Sequence, residues 1–363
     1  AQWNEKLDAW RSANPEQAEL LDRLTSQELP TGWNNAIPTF EPGKEIATRK
    51  ASSDVIQAIA TELPEFWGGS ADLGESNLTT IEDGKSFLPA TSSMPDASEH
   101  GRILHFGIRE FAMGTILNGI ATSGLTRPFG GTFMVFSDFM RGAVRLAALM
   151  NLPVTYVWTH DSIGVGEDGP THQPIEHLWA LRAIPNLDVI RPADANETAS
   201  VWQIALERNK PAALALSRQN LPVINSERTC DTSTVARGAY IIKDASAIPQ
   251  AIILATGSEV SIALAAQEQL EAKGISTRVI SAPCLEWFDE QPQSYRDEVL
   301  PPSVTARVSI EAGIAQGWWK YLGTNGKAIS IEQFGASAAA STLFKEFGLT
   351  SEAVIQAVSE ILS

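Results

Sequence analysis

The stretch from Thr159 to Pro174, THDSIGVGEDGPTHQP, combines two histidines and three acidic residues with several glycines. Glycine-rich loops that carry such side chains are more often catalytic than structural, because a rigid scaffold can present them to a ligand. All five histidines of the chain fall in the same region: His100, His105, His160, His172 and His177. This grouping predicts a site for hydrogen bonding and proton transfer.

Metal binding is the first alternative for these histidines. His172 and His177 are five positions apart, whereas two zinc ligands on one helix face are spaced by four. No HExxH motif and no cysteine pair accompanies them. We therefore expect no metal ligands in this chain.

Two further candidate groups lie upstream of this loop. Glu110 begins a helix whose next residues are small and apolar, so its carboxylate should be partly desolvated, as a general acid requires. The position also suits an acid that only complements the helix dipole. Phe133, Phe136 and Phe139 recur at every third position; such stripes usually belong to a core, but the first two follow a glycine pair, where a flat ligand could stack.

The elements around these residues are typical of an α/β fold. The segment 138–150 has an apolar face at Phe139, Ala143, Leu146, Ala147 and Met150, which predicts a helix with that face buried. PVTYVWTH (153–160) is short, β-branched and aromatic, like a buried parallel strand. A helix leading into such a strand indicates a doubly wound sheet, whose ligands lie beyond the carboxyl ends of its strands, where His160 falls.

A second βαβ pattern follows further along the chain. AIILAT (251–256) precedes a helix with Ser258 as its N-cap and Gly274 at its end, and TRVISA (277–282) follows. The TGSEV turn could bind a phosphate at the helix N-terminus, although it lacks the spaced glycines of a dinucleotide fingerprint. We predict two doubly wound, mostly parallel-sheet domains, preceded by a helix with Asn14 as N-cap and Pro15 at its first position.

The composition excludes several classes of function. Lys and Arg total 27 against 43 Asp and Glu, and the net charge of −16 disfavours nonspecific nucleic-acid or membrane binding, so an anionic ligand needs a local basic pocket. Cys230 and Cys284 have no metal or redox spacing, which favours a reducing cytoplasmic location without a disulfide. The chain begins at Ala1 inside a predicted helix, without an apolar leader or span, so we expect a processed protein or the later part of a longer one.

Five motifs occur in a fixed order: GSADLGESNLT, FGIREF, THDSIGVGEDGPTHQP, LSRQNLP and EAGIA. With them, the chain from Lys44 onward resembles the pyrimidine-binding and C-terminal domains of transketolase. The resemblance implies a helical linker over 1–43, a pyrimidine-binding domain over 44–228 and a C-terminal domain over 235–363. It also implies the family's activity, the transfer of a two-carbon ketol unit from a ketose phosphate to an aldose phosphate with thiamine diphosphate.

The same resemblance implies roles for individual residues. Glu110 matches the glutamate that protonates the ring nitrogen of the cofactor's aminopyrimidine, so that the 4′-amino group becomes a base. Phe133, Phe136 and Phe139 match the aromatic pocket for that ring, where the family often has Tyr at the third position, and Asp72 matches an aspartate beside the cofactor. Four side chains match the groups that hold the sugar phosphate: Arg49, Ser76, His160 and Arg218.

The reacting end of the substrate is assigned in the same way. His172 matches a histidine that hydrogen-bonds oxygens there and assists proton transfer, and Asp168 matches the aspartate that reads the substrate's α-hydroxyl. The resemblance implies no ligand site in the C-terminal domain.

One departure from the family pattern is that no Gly-Asp-Gly occurs in the chain. Complete transketolases carry this motif in an earlier domain, which holds Mg²⁺ and the diphosphate. We therefore expect this chain to be a homodimer that is inactive by itself, and to meet Mg²⁺ only through an N-terminal diphosphate-binding domain or subunit. It would be the remainder of a full transketolase or one half of a two-gene enzyme.

Two alternatives remain open at this point. The chain has the size of a β-type subunit of another thiamine enzyme, either a 2-oxo-acid dehydrogenase or a protein like deoxyxylulose-phosphate synthase, although the Arg49, His160 and Arg218 set fits a sugar phosphate better. It could also be a non-catalytic dimerising module, which would have no need to retain Glu110 and His172. The acceptor aldose is not fixed by the sequence, nor is the pathway, pentose phosphate or Calvin cycle.

Overall fold

A computed structural model describes residues 2–363, and two helices open the chain, α1 (Gln2–Ala13) and α2 (Pro15–Ser26). Pro15 occupies the first turn of α2 as predicted, but the Asn14 side chain does not cap that helix; its Nδ2 donates to the Trp10 carbonyl instead. Arg23 of α2 donates to both carboxylate oxygens of Glu65, at 2.6 and 3.0 Å, and so attaches the helix to the first domain.

The first domain is built on an eight-stranded, fully parallel sheet in the order β4-β3-β5-β2-β6-β7-β9-β8, and β1 and β10 form a separate antiparallel pair. Its strands are β1 (Glu45–Ile46), β2 (Phe66–Ser70), β3 (Ser86–Phe87), β4 (Ala97–Ser98), β5 (Ile103–His105), β6 (Arg127–Phe133), β7 (Thr155–Thr159), β8 (Asp188–Ile190), β9 (Ala212–Leu216) and β10 (Leu221–Pro222). Its helices are α3 (Thr48–Glu62), α4 (Gly74–Asn77), α5 (Glu110–Thr122), α6 (Ser137–Met150), α7 (His177–Arg182) and α8 (Ala195–Arg208).

The second domain follows the short helix α9 (Thr232–Val235) and has a mixed five-stranded sheet in the order β11-β13-β12-β14-β15. Only the β11–β13 pair is antiparallel. The strands are β11 (Tyr240–Lys243), β12 (Ala251–Ala255), β13 (Thr277–Ser281), β14 (Arg307–Ile310) and β15 (Lys327–Ile329). The helices are α10 (Glu259–Ala272), α11 (Leu285–Asp289), α12 (Gln293–Val299), α13 (Trp319–Leu322), α14 (Ala340–Glu346) and α15 (Ser351–Leu362). The α/β fold class with two mostly parallel sheets is confirmed.

Helix α6 corrects one prediction about burial. Of the five apolar residues assigned to its buried face, only Ala143 and Ala147 are buried, and Phe139 is 66% exposed. The helix is rotated so that Met140 and Val144 face the core instead. Gly114 of α5 explains this rotation, because a Cβ there would lie 2.7 Å from the Ala143 Cβ, and so α5 packs closely against this face. Periodicity located the helix but not the face that its neighbour selects.

The two domains share one buried apolar cluster, which contains Val157 and Ile190 of the first domain and Val279 and Val308 of the second. The predicted βαβ unit is present as β12, α10 and β13, although the Ser258 hydroxyl donates to the Glu259 carboxylate and does not cap the helix. Both cysteines are free, as predicted. Among the described helices, none combines the length and apolar character that a membrane-spanning helix needs.

Candidate active site

The carboxyl ends of adjacent parallel strands bring the predicted residues together at one edge of the first sheet. Phe133, the last residue of β6, pairs with Thr159, the last residue of β7, and Thr159 pairs with Leu216 at the end of β9. His160 therefore follows directly after the central strand β7. Arg218 follows the adjacent strand β9. This is the position at which doubly wound sheets bind their ligands.

Two arginines meet at this edge because of a reciprocal pair of hydrogen bonds. The Thr48 backbone N–H donates to Ser217 Oγ at 3.0 Å, and the Ser217 N–H donates to Thr48 Oγ1 at 2.7 Å. Arg49 and Arg218, the next residue in each case, are thereby placed side by side. Burial first, and then the neighbouring Arg218 cation, lowers the pKa of Arg49 below its ordinary value. The Thr48–Ser217 pair could not be predicted from the sequence, since the partners are far apart in the chain.

His160 lies beside these cations and is almost fully buried. Its ring lies against that of Phe133, with centroids 3.7 Å apart, and its Nδ1 hydrogen-bonds Thr159 Oγ1 at 2.8 Å. Burial, together with the positive charges of Arg49 and Arg218 and with His172, lowers the pKa of His160 to about 3. The imidazole is therefore neutral near pH 7.

The three predicted phenylalanines form a continuous stack. The Phe133 and Phe136 ring centroids are 5.8 Å apart and inclined by 19°, and those of Phe136 and Phe139 are 6.0 Å apart and inclined by 28°. The edge of the His172 ring approaches Phe136, at 5.5 Å between centroids. Phe133 is buried whereas Phe139 is exposed, so the stack leads from the His160 pocket to the surface.

Glu110 is the first residue of α5, as predicted, and is only 8% exposed. Within residues 2–363 no hydrogen bond or ion pair involves its carboxylate, and its oxygens are not among the fully buried unpaired atoms, so they keep some contact with solvent. One turn further along α5, Gly114 lies against Met140 and Ala143 of α6. Phe136 lies four residues before Met140, just as Glu110 lies four residues before Gly114.

The remaining predicted residues surround the same edge with fewer contacts. Asp72 follows β2 in a left-handed conformation, with φ of 61°, and lines a cleft with Ser76. Ser76 offers its carbonyl oxygen, not its hydroxyl, to Arg49 Nη1 at 2.6 Å. His172 Nδ1 is 2.9 Å from Thr171 Oγ1. Asp168 is exposed on the loop between His160 and His172, and among the described residues no side chain of the site bonds to it.

The other three histidines do not join this group. His105 Nε2 bonds Ser86 Oγ at 2.8 Å, and His100 is exposed. His177 is buried at the start of α7, where its ring nitrogens and the carboxylates of Asp138 and Glu176 lie within 4.8 Å of one another. Two of these three groups are exposed acids, an arrangement common without any ion. Spacing along the chain could not reveal this cluster, because Asp138 belongs to a different helix.

The second domain supports the loop that carries the two histidines. Gln173 Nε2 donates to the Gly166 carbonyl and to the Ala336 carbonyl of the second domain, both at 2.9 Å. The Ser337 hydroxyl donates to the Glu167 carbonyl. A Cβ on Gly335 would lie 1.7 Å from Gln173 Oε1, so a larger residue there would displace the Gln173 amide. Gln173 and its partners were not predicted from the sequence.

A buried ionic network attaches the start of the same loop. Arg191 Nε donates to Asp161 at 2.8 Å, and its other nitrogens contact Glu259 and the Thr256 carbonyl of the second domain. The guanidinium therefore occupies the TGSEV turn, where a Cβ on Gly257 would lie 2.6 Å from it. The guanidinium is fully buried and already paired with the carboxylates of Asp161 and Glu259, so the turn has no room for a phosphate.

Comparison with known proteins identifies relatives over nearly the whole chain. The family models "Transketolase, pyrimidine binding domain" and "Transketolase-like TK C-terminal domain" match residues 44–223 and 238–350. The transketolase of Mycobacterium leprae is 54% identical over an alignment of 370 positions, which covers 99% of this chain and 52% of the relative. The chain thus spans about half the length of the curated relatives that it matches.

Solved structures give the same result. The transketolase of Pichia stipitis in complex with sedoheptulose-7-phosphate aligns with a TM-score of 0.93 and 42% identity, over 99% of this chain and 52% of that one. A split-gene transketolase, described as an inactive β4 tetramer, aligns with a TM-score of 0.69 and 25% identity, over 87% of this chain and 98% of that one.

Proposed function

The chain belongs to the transketolase family, with its pyrimidine-binding and C-terminal domains, and from this premise we propose that it forms one half of a thiamine diphosphate site. The proposed reaction is the transfer of a two-carbon ketol unit from a ketose phosphate to an aldose phosphate. The other half, a diphosphate-binding domain with its Mg²⁺, would come from an adjoining part of the same polypeptide or from a separate subunit.

One observation supports this proposal above the others: an aromatic stack and a cationic clamp abut at a single sheet edge. Phe133 stacks on Phe136 on one side and contacts His160 on the other, at 3.7 Å between ring centroids. A ligand spanning this contact would have a flat ring at one end and a phosphate at the other. The aminopyrimidine of the cofactor would supply the flat ring, and the bound sugar phosphate would supply the phosphate.

The residues present fit the aminopyrimidine. Phe136 and its stacked neighbours offer a planar apolar face, and Glu110 offers a buried carboxyl without a partner among residues 2–363. When bound, thiamine diphosphate supplies a thiazolium carbon that, once deprotonated, is the nucleophile for the two-carbon unit. We propose that Glu110 hydrogen-bonds the ring nitrogen and shares a proton with it, and that Asp72 lines the cofactor side of the cleft.

The clamp fits a sugar phosphate. Arg49 and Arg218 place two cations at one point of a protein whose net charge is −16, and this arrangement is unfavourable until an anion binds there. His160 and Ser76 would complete the clamp. We place His172 and Asp168 toward the reacting end, where His172 hydrogen-bonds the substrate oxygens and Asp168 reads the α-hydroxyl.

We further propose that the chain has no ketol-transfer activity by itself. The split-gene transketolase supports this idea, since a chain of nearly matching extent is described there as inactive. The exposed apolar residues of α5 and α6 suit a homodimer interface, and the free cysteines suit a cytoplasmic location.

The test is to mix the chain with a separately expressed diphosphate-binding half of a relative such as the Mycobacterium leprae enzyme, in the presence of thiamine diphosphate and Mg²⁺. We expect turnover of xylulose 5-phosphate with ribose 5-phosphate only in the mixture. Turnover of pyruvate but not of xylulose 5-phosphate would favour another thiamine enzyme. A stable complex without any turnover would favour a non-catalytic dimerising module.

A further inference from the structure

A chain of buried hydrogen bonds beneath His160 has a fixed direction. It starts at the Gly131 carbonyl, which can only accept, and which takes the Ser70 hydroxyl proton at 2.9 Å. Ser70 Oγ has then no further proton to give, so the Asn77 atom 2.8 Å away must be the Nδ2 donor. Asn77 consequently presents Oδ1 to Thr159.

The direction continues to the imidazole. Thr159 Oγ1 donates its single proton to Asn77 Oδ1 at 2.7 Å. The remaining contact, 2.8 Å from Thr159 Oγ1 to His160 Nδ1, must therefore be a donation from the ring. A neutral His160 carries its proton on Nδ1, and Nε2 has only a lone pair. No residue within 2–363 hydrogen-bonds Nε2.

We propose that Asn77 and Thr159 are positioning residues that hold His160 in the Nδ1-protonated tautomer, so that the phosphate of a sugar phosphate binds together with one proton. The inference rests on the proposed phosphate clamp and adds a proton requirement to it. A phosphate monoester is mostly a dianion above pH of about 6 and has no proton to donate. Its oxygens and Nε2 would repel each other unless a proton from solvent lies between them.

The charged groups around His160 determine whether its Nε2 is protonated. The charged or titratable groups that face His160 are Arg49 from α3, Arg218 after β9 and His172 from the loop. With burial, they keep the free imidazole neutral near pH 7. The negative charge of the bound dianion favours a proton between it and His160. This proton resides on Nε2 or on a phosphate oxygen, and either position gives the same number of protons taken up. The proton comes from water or buffer, so one N–H or O–H bond forms at the site while the bond that held this proton in its donor breaks.

Binding should consequently weaken with pH. Above about pH 6 the complex holds one proton more than the separated partners, so affinity falls about tenfold per pH unit until the complex itself deprotonates. If a neutral His160 instead donated a hydrogen bond from Nε2, the dianion would bind without taking up a proton, and its affinity would not fall with pH in this way.

The experiment uses the full chain with ¹⁵N-labelled histidine, which gives five side chains to assign. Long-range ¹H–¹⁵N spectra report the tautomer of His160 in the free chain at pH 7.5. Calorimetric titration with D-ribose 5-phosphate, in two buffers of different ionisation enthalpy at about pH 7 and 8, reports the protons taken up. We expect Nδ1–H in the free chain, close to one proton taken up, and roughly tenfold weaker binding at the higher pH.

Two variants separate tautomer control from simple packing. Thr159→Val removes the hydroxyl at nearly the same size, so proton uptake should fall toward zero and the pH dependence should flatten to less than about twofold. Thr159→Ser keeps the hydroxyl and should behave as the parent. If Thr159→Val does not fold, the parent spectrum and the Ser variant still decide the matter.

The outcomes distinguish this inference from the proposed function. An Nε2–H tautomer in the free chain, or binding without proton uptake, would overturn the inference while leaving the clamp intact. If the sugar phosphate does not bind at all, both the clamp and the inference are overturned.

Discussion

Two residues of the site, Asp72 and His160, have left-handed backbones, with φ of 61° and 63°. Left-handed φ is uncommon for residues other than glycine and occurs more often where function requires it. Each lies in the turn that follows a parallel strand, β2 for Asp72 and β7 for His160. Substitution by residues that tolerate this conformation, such as asparagine, is therefore the conservative choice at both positions.

The depressed pKa of His160 predicts a pH-dependent contribution to stability. Its pKa is about 3 in the folded chain, against about 6.5 in an unfolded one, so the unfolded state binds more protons between these values. The free energy of unfolding should rise with pH through this window and level off above about pH 6.5. The expected slope is at most about 1.4 kcal/mol per pH unit.

Denaturant unfolding of the parent and of His160→Asn between about pH 4.5 and 7.5 checks this prediction. The parent should lose stability relative to the variant as the pH falls below 6.5. His100→Asn, at an exposed histidine, is the matched control and should follow the parent. Parallel curves for the parent and His160→Asn would contradict the prediction.

At this scale the side chains proposed to act in the site could be named from the sequence, but the groups that orient them could not. Motif matching selects residues by identity within short segments, and it found His160 and Arg218. Thr48, Asn77 and Thr159 act through contacts between distant segments, and each is an ordinary polar residue in its own segment. Only the paired strands and the helix starts reveal them.

Among the structural elements, the loop from His160 to Gln173 is held from both sides. Arg191 attaches its beginning to α10, and Gln173 attaches its end to the Ala336 carbonyl. Helix α14 packs against the single turn 163–165 inside the loop. The C-terminal domain, which received no role from the sequence, thus supports the segment that carries both proposed catalytic-loop histidines.

Gln173→Glu should loosen this loop. The substitution replaces the Nε2 donor by an acceptor, so two carbonyls lose their partner and a carboxylate is buried, at a cost of about 1–3 kcal/mol or more in the free energy of unfolding. Amide hydrogen exchange should accelerate in 162–174 and in 333–339. Gln17→Glu, on the exposed face of α2, is the control. Unchanged exchange in both segments would show that Gln173 does not hold the loop.

The strands and helices were more predictable than the faces that they bury. Short apolar runs located β7 and β12, and the end residues Ser258 and Gly274 located α10, because these signals are local. The face of α6 depends on α5, which approaches at Gly114, and no local pattern encodes that approach. An apolar stripe in the sequence predicts that these residues are buried, but not whether they are buried in the protein's own core or against another subunit.

For the molecule as a whole, the stripe that α6 leaves exposed is the strongest reason to expect self-association. Leu149 is 69% exposed, and Phe139, Leu146 and Met150 lie on the same helix, with Phe111 of α5 close to Gly142. Large exposed apolar residues grouped on one helix are typical of protein–protein interfaces. We predict a homodimer through this surface.

Leu149→Glu should weaken that dimer by tenfold or more, because it places a charge in an apolar contact. Sedimentation equilibrium across a concentration series measures the effect. Ile248→Glu, at an exposed apolar residue of the second domain, should leave association unchanged. If Leu149→Glu associates as strongly as the parent, the interface lies elsewhere.

The central claim is that the buried Glu110 carboxyl shares a proton with the aminopyrimidine of the cofactor. The most direct measurement is the ketol-transfer rate of the complex reconstituted with a diphosphate-binding half, with Glu110→Gln compared to the parent and to Glu268→Gln, an exposed control on α10. We predict a loss of about 10²–10⁴-fold for Glu110→Gln and none for the control. A Glu110→Gln complex that binds the cofactor and turns over at the parent rate would contradict the account.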